Sequence, residues 1–288
     1  MSVKSRAFAK INVGLRVFPK SKDDVFHKIE SVFHTVNLCD DLEIDFLDCA
    51  DKNGGLLCEV QSSVLLPKEN TITKAFSAFS ELTGLKKSVR VFVKKRIPSG
   101  AGLGGGSSDA AAFVRSLCVL HKIPQEKTLF DAISARVGSD VFFFLNVPNG
   151  EGAALVSGRG EIVEQIEKRA FFTVLLFPRV FCSTKEAYSA FDRAVEVSET
   201  LSFIPFSEYE SEYRFCAFEN WRFCNGFTPI LQKAHPEIAL GLKKMKEAGA
   251  LFSEMSGSGS TVFGVFDSKE SALFAVKKLQ QNGFDSCI

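Results

Sequence analysis

The chain has 288 residues, 45% hydrophobic and 24% charged, so it is neither a disordered polymer nor a membrane bundle, and its length suits about two domains. With 35 basic against 34 acidic residues the net charge is +1, too balanced to supply the broad positive field that nucleic-acid binding needs. The 29 Phe against 3 Tyr and 1 Trp provide buried ring area without a polar handle to satisfy, which favours core over recognition surface.

The amino terminus, MSVKSRAFAKINVG, is broken by Lys4, Arg6 and Lys10 and has no secretory apolar stretch. The longest apolar runs, such as FFTVLLF at 171–177, fall far short of the ~20 residues that span a bilayer. A cytoplasmic protein with no membrane partner is expected. The eight cysteines have no CxxC pair and no zinc spacing with the histidines, so reduced structural thiols are expected; His34, His121 and His235 read as structural too.

Residues 8–18, FAKINVGLRVF, alternate as a strand, with Ala9, Ile11, Val13, Leu15 and Val17 on one face and Phe8, Lys10, Asn12, Gly14 and Arg16 on the other. Lys10 and Asn12 thus share a face at roughly 7 Å spacing. FHKIESVFHTVNL and DDLEIDFLD read as two further strands of a mostly antiparallel sheet, divided by a turn at Asp40 and Asp41. NTITKAFSAFSEL at 70–82 has helical spacing and Gly84 as its stop, and VRVFVKK returns to strand. Ser107 or Ser108 is expected to cap a helix over DAAAFVRSLCVLH, whose stripe is Ala110, Phe113, Val114, Leu117 and His121. A third helix, EKTLFDAISARVG, leads to Asp140 at the entry to a buried strand, VFFFL. The glycine-rich stretch 149–160 reads as a passage between domains. Beyond it come FFTVLLF as a central strand, a helix over 185–196, an unassigned aromatic stretch, the helix PEIALGLKKMKEAGA, the strand STVFGVF and the helix KESALFAVKKLQQNG. Together these make an α+β tail domain.

The most informative segment is PSGAGLGGGSSDAAA at 98–112, with five glycines in the seven positions from Gly100 to Gly106. Glycine lets backbone N–H groups approach a ligand, and a following helix N-terminus adds partial positive charge, so the pair forms an anion cradle. Gly100, Gly102 and Gly105 satisfy GxGxxG, but a helix follows where a dinucleotide fold needs a second strand. No lysine closes the loop as in a Walker A sequence, and the protein-kinase loop needs strands on both sides.

The loop PxGxGLGGGSSxAA resembles the second motif of the GHMP kinases, small-molecule kinases named for galactose, homoserine, mevalonate and phosphomevalonate. FAKINVGLRVF resembles their first motif and MSGSGSTVFGVF at 255–266 their third, in the same order. The AKIN start, GLGGGSSDAA, KDDVFH, KENTI and VGSDVFFFL point to the branch whose alcohol substrate carries a cytidine diphosphate. Val25 stands where that branch has glycine, and Phe142 where it has proline. The resemblance covers nearly the whole chain. It implies a two-domain α+β architecture, a ribosomal-protein-S5-domain-2-like amino-terminal domain over 1–155 and a ferredoxin-like α+β domain over 156–288. It also implies ATP as phosphoryl donor with Mg²⁺.

By the same resemblance Lys10 stabilises the transferring phosphoryl group and Asp140 is the base that accepts the hydroxyl proton. Taken alone, a strand lysine is ordinarily solvated, and an aspartate after Gly138 and Ser139 is ordinarily a turn or cap. The implied ATP cradle is Pro98, Ser99, Gly100, Ala101, Gly102, Leu103, Gly104, Gly105, Gly106, Ser107 and Ser108. Asn70 and Lys95 match nucleotide-side positions; surface roles suit both equally. Asn12, Phe26, His27, Thr184, Tyr188, Gly257, Ser258 and Gly259 match substrate positions, with Phe26 and Tyr188 to stack on cytosine and His27 to hydrogen-bond its edge. The alternatives are a core ring for Phe26, a strand-edge bond for Asn12 and a plain turn for 257–260.

Overall fold

The computed structural model describes residues 2–20, 24, 26–47, 55–85, 87–195 and 202–288; Val25 and Cys49 lie outside the described residues. The chain forms two compact units that interleave along the sequence. Residues 1–9, 37–99 and 104–151 make the first, and 10–36, 100–103 and 152–288 the second. The last crossing falls between Glu151 and Gly152. Strands β1 (Ser2–Val17) and β2 (Ile29–Leu47) contribute residues to both units.

In the first unit β3 (Cys58–Ser62), α1 (Thr71–Thr83) and β4 (Ser88–Lys94) form a strand–helix–strand crossover, with Cys58 opposite Val89 and Ser62 opposite Val93 in parallel register. β4 also pairs antiparallel with the later part of β2, from Asp41 opposite Lys94 to Leu47 opposite Ser88. Its alternation decides its faces: Val89, Val91 and Val93 are buried, while Arg90, Phe92 and Lys94 point outward. Helices α1, α2 (Gly105–His121), α3 (Lys127–Val137) and α4 (Ser139–Asn146) pack on one another around Phe79, Phe113, Phe143 and Phe144, all fully buried. Asn70 caps α1: its Oδ1 accepts the Ile72 and Thr73 amides at 3.0 and 3.1 Å, and Gly84, in the left-handed region at φ 66°, ends the helix as expected.

Three expectations are corrected in these segments. There is no turn at Asp40 and Asp41, because β2 runs on through both, and the Asp40 carboxylate is held by partners from beyond β4. The VFFFL run is helical: it forms α4, where Val141, Phe143, Phe144 and Leu145 face the core and Asp140 lies in the first turn. Neither Ser107 nor Ser108 caps α2, since Gly104 adopts φ 68° and turns the chain into the helix three residues before Ser107. Half of the glycine-rich 149–160 stretch is β5 (Ala153–Gly158), and the last crossing between the units falls just ahead of that strand.

In the second unit β5 pairs antiparallel with the first part of β2, from Ile29 opposite Gly158 to His34 opposite Ala153, and with β6 (Ile162–Ile166). A second sheet holds β7 (Phe172–Phe177) in its interior, as the unbroken apolar FTVLLF predicts. The chain then passes through α5 (Thr184–Val195), α6 (Tyr209–Phe215), α7 (Thr228–Ala234) and α8 (Pro236–Glu247) to β8 (Phe252–Met255), β9 (Val262–Phe266), α9 (Lys269–Gln281) and β10 (Asp285–Cys287). The sheet order is β10–β7–β9–β8, all antiparallel, with α8 and α9 packed against it. Numbered along the chain this is strand order 4-1-3-2, the expected ferredoxin-like arrangement. The stretch unassigned from sequence supplies aromatic core. Tyr213 stacks on Trp221 and its hydroxyl accepts the Arg169 amide at 2.9 Å, which leaves the phenol proton for His34 Nδ1 at 2.8 Å. Burial holds His34 well below the usual histidine pKa, so it is a neutral acceptor there.

Replacing Asn70 by alanine is expected to lower stability by about 1 kcal/mol, and Asn70→Asp, which keeps the accepting oxygen, by less. Urea denaturation midpoints check both.

Candidate functional site

The β1 face that carries polar residues is buried: Lys10 is 4% exposed and Asn12 1%. The spacing that put them on one face also brings them into contact. Lys10 Nζ donates to Asn12 Oδ1 at 2.6 Å and lies 4.5 Å over the Phe33 ring. Asn12 Nδ2 donates to Ser31 Oγ at 3.0 Å, and Ser31 Oγ donates to the Gly14 carbonyl at 2.5 Å.

The part of the glycine loop that belongs to this second unit is tied to the same strand. The Lys10 amide donates to the Leu103 carbonyl at 3.0 Å. Ser256 Oγ accepts the Asn12 amide at 3.3 Å and donates to the Gly102 carbonyl at 2.9 Å. Gly102 has φ 76°, and a Cβ there would lie 2.1 Å from the Ser256 carbonyl oxygen, so backbone meets backbone where only glycine fits. The carboxyl-terminal glycine loop is held from behind by buried Asn225, whose Nδ2 donates to the Met255 and Gly257 carbonyls at 2.7 and 2.8 Å. Thr184 and Ser258 share a hydroxyl hydrogen bond of 2.9 Å.

His27 is buried, with Nδ1 2.8 Å from the Phe18 carbonyl and Nε2 3.1 Å from Asp192 Oδ1. Its ring stacks on Tyr188 at 4.7 Å, and Phe191 and Phe227 close the cluster edge-on. The expected pairing places Phe26 opposite Tyr188; here the ring on Tyr188 is His27, while Phe26 is 57% exposed under the Arg159 guanidinium.

In the first unit the other part of the loop opens α2. The first helical bond runs from the Ser108 amide to the Gly104 carbonyl at 2.9 Å, so the amides of Gly105, Gly106 and Ser107 have no acceptor within the helix. With the dipole of a helix 17 residues long behind them, they present an anion cradle. Thr71 Oγ1 pins the Gly106 carbonyl at 2.6 Å. Pro98 and Ser99 lead in exposed, Ser107 is half-buried and Ser108 buried. Asp140 belongs to this unit and Lys10 to the second.

Asn70 and Lys95 are committed to local partners. The Asn70 side chain caps α1, and Lys95 Nζ lies between two buried carboxylates, 2.5 Å from Asp40 and 2.7 Å from Asp109. Asp40 also accepts the Arg96 and Ile97 amides at 2.5 and 2.9 Å. Burial pushes Asp109 up to about 7, against the pull of Lys95 and with help from the Asp40 charge. Burial works to lower the Lys95 pKa, but the two carboxylates outweigh it and hold the ammonium charged. A Cβ on Gly105 would come within 3.5 Å of Lys95 Nζ, so this ion cluster lies under the first residue of α2.

Sequence reasoning assigned no role to Ser31, Asp109, Asp192, Asn225 or Ser256, and read Asp40 only as a turn. Ser31 did leave a trace, a hydroxyl on the strand face shared by Ile29 and Phe33. The described cysteines are free, and burial raises the thiols of Cys58, Cys118, Cys224 and Cys287, which disfavours the reactive thiolate. Among the described residues no helix is long and apolar enough to cross a membrane.

Comparison with known proteins places these features in a family. The description "GHMP kinases N terminal domain" matches residues 70–146, and "GHMP kinases C terminal" matches 216–285. The chain is 36% identical over 286 residues to a 4-diphosphocytidyl-2-C-methyl-D-erythritol kinase of Treponema pallidum (strain Nichols), covering 96% of this chain and 94% of that one. It is 38% identical over 267 residues to the enzyme of that name from Thermotoga petrophila, covering 90% of each. A crystal structure of 4-(cytidine 5'-diphospho)-2C-methyl-D-erythritol kinase superposes with a TM-score of 0.77 at 26% identity, over 97% of this chain and 96% of that one.

Between the ordinary value of 3.8 and about 7, Asp109 holds a proton in the folded state that the unfolded chain has released, so the carboxyl costs stability as pH rises through that window. Asp109→Asn is therefore expected to be more stable than the parent at pH 8, by on the order of 1 kcal/mol, with the difference vanishing near pH 4. Denaturation of both proteins across that range measures it.

Proposed function

The chain belongs to the GHMP kinases, and on that premise we propose that it transfers the γ-phosphoryl group of ATP to the C2 hydroxyl of 4-diphosphocytidyl-2-C-methyl-D-erythritol, a step in making isoprenoid precursors. The name shared by relatives that match nine-tenths or more of the chain carries the choice of alcohol. The His27–Tyr188 stack, half-buried at Tyr188, supports it as flat ring surface of the kind on which a planar pyrimidine stacks. Phe26, His27 and Tyr188 are assigned to the cytidine, and Asn12, Thr184, Gly257, Ser258 and Gly259 to the remainder of the alcohol. A cytoplasmic location belongs to the same reading.

In the proposed reaction the bond between the γ-phosphorus and the β,γ-bridging oxygen breaks, and a new P–O bond forms to the C2 oxygen. The hydroxyl proton passes to the carboxylate of Asp140. No covalent enzyme intermediate is required. Phosphoryl transfer depends chiefly on positioning and charge stabilisation, with a base contributing typically ~10² to 10⁴ in rate. Lys10 is assigned the stabilising charge; its ammonium is buried, where a charge acts with little screening. The amides of Gly105, Gly106 and Ser107, with the loop from Pro98 to Leu103, Gly104 and Ser108, are assigned to the ATP phosphates. Asn70 and Lys95 serve the nucleotide end by shaping α1 and the base of α2. Mg²⁺, a hard cation that takes oxygen ligands, suits the Ser107 hydroxyl together with phosphate oxygens, and it would supply charge neutralisation between the phosphates.

ADP release measured with the diphosphocytidyl alcohol, homoserine and mevalonate side by side is expected to show turnover with the first alone. Turnover with one of the others would reassign the substrate, and none with any would favour a non-catalytic phospholigand-binding protein. Asp140→Asn is expected to lower kcat by about 10² or more while leaving ATP affinity within about twofold. Steady-state kinetics and calorimetric titration with ATP check the two halves of that statement.

A further inference from the structure

We infer that Ser31, through Asn12, is a positioning residue that fixes the placement of the Lys10 ammonium. The inference rests on the assignment of Lys10 to the transferring phosphoryl group. It follows from the directions of three consecutive hydrogen bonds. The Gly14 carbonyl can only accept, so the Ser31 hydroxyl spends its single proton on it at 2.5 Å. Ser31 Oγ is then left with lone pairs alone toward Asn12, and only the amino end of the Asn12 amide can face it, at 3.0 Å. The carbonyl end of that amide must point the other way, where it accepts from Lys10 Nζ at 2.6 Å. Were the amide reversed, carbonyl oxygen would meet hydroxyl lone pairs at one end and an NH₂ would meet an ammonium at the other.

The backbone carbonyl of Gly14 thus selects the orientation of a side chain that holds the ammonium, and Ser31 is the link that transmits the selection. Ser31 is 0% exposed, so no bulk water is at hand to replace its oxygen. The Phe33 ring, two residues further along the same strand face, holds the ammonium from a second side at 4.5 Å. β2 therefore offers two supports to one ammonium, one by hydrogen bonding and one by its π-face. Ser31 touches neither substrate nor the reacting atoms in this arrangement; it acts on kcat through Asn12 and Lys10.

Threonine and valine at this position have the same size and differ only in the hydroxyl, so Ser31→Thr and Ser31→Val separate hydrogen bonding from packing. With ATP and the diphosphocytidyl alcohol as substrates, Ser31→Thr is expected to keep kcat within about threefold of the parent. Ser31→Val is expected to lose about 10- to 100-fold in kcat with the KM for ATP within about twofold, because a misplaced charge is felt in the transition state more than in binding. Equal kcat for the two variants, whether high or low, overturns the inference, as does a loss confined to KM. Lys10→Met is measured beside them. If it retains full kcat, the assignment of Lys10 falls and the inference with it; if it is inactive while Val matches Thr, only the inference falls.

Discussion

A lysine ammonium taken out of water is unfavourable by several kcal/mol unless its charge is met, and among the described residues the Lys10 and Lys95 side chains are both buried. Lys10 in the second unit rests on a neutral amide oxygen and an aromatic face. Lys95 in the first unit meets two carboxylates. The two sites make different demands of the chain: one needs an amide oxygen and a ring face brought to the ammonium, and the other needs acidic side chains buried beside it. The strands and loops around each lysine are arranged to meet these two demands, including a continuous β2 that brings Ser31 and Phe33 to the one and Asp40 to the other.

What the sequence disclosed and what it hid follow from the range of the interactions involved. Local signals were legible: the alternation of β1, the Gly84 stop of α1 and the stripe of α2 are each complete within a few turns of chain. The apolar run of β7 and the helices on either side of β8 and β9 were enough to indicate an α+β tail, and the observed strand order then made it ferredoxin-like. The run VFFFL was not legible, because a short unbroken apolar segment has the same pattern in a buried strand and a buried helix. Asp40 looked like a turn residue because its partners, Lys95, Arg96 and Ile97, lie more than fifty positions away. Without them a pair of aspartates signals only a break.

The candidate site divides in the same way. The glycine loop and the Lys10–Asn12 pair announce themselves by composition and spacing. The residues that make those features work, Ser31, Ser256, Asn225 and Asp109, are ordinary in sequence and become visible only through their hydrogen bonds. Ser256 shows the point most plainly. One hydroxyl accepts from β1 and donates to the loop at Gly102, 154 residues away, and the absence of a side chain at Gly102 is what permits the approach.

The interleaving of the two units bears on how the chain reaches its fold. No single cut releases either unit whole, since the second takes residues 10–36 and 100–103 from among those of the first. On a ribosome the opening part of β2 would emerge long before β5, and the pairing of His34 with Ala153 closes a loop of well over one hundred residues. The β3–α1–β4 crossover, by contrast, closes within some thirty-seven residues and is available early. Contacts of such separation carry a larger entropic barrier and slow the search, so the first unit's helices and crossover are positioned to order before the second unit's sheets. During synthesis, Lys10 would therefore wait, already translated, for the Ser256 that helps to hold its strand.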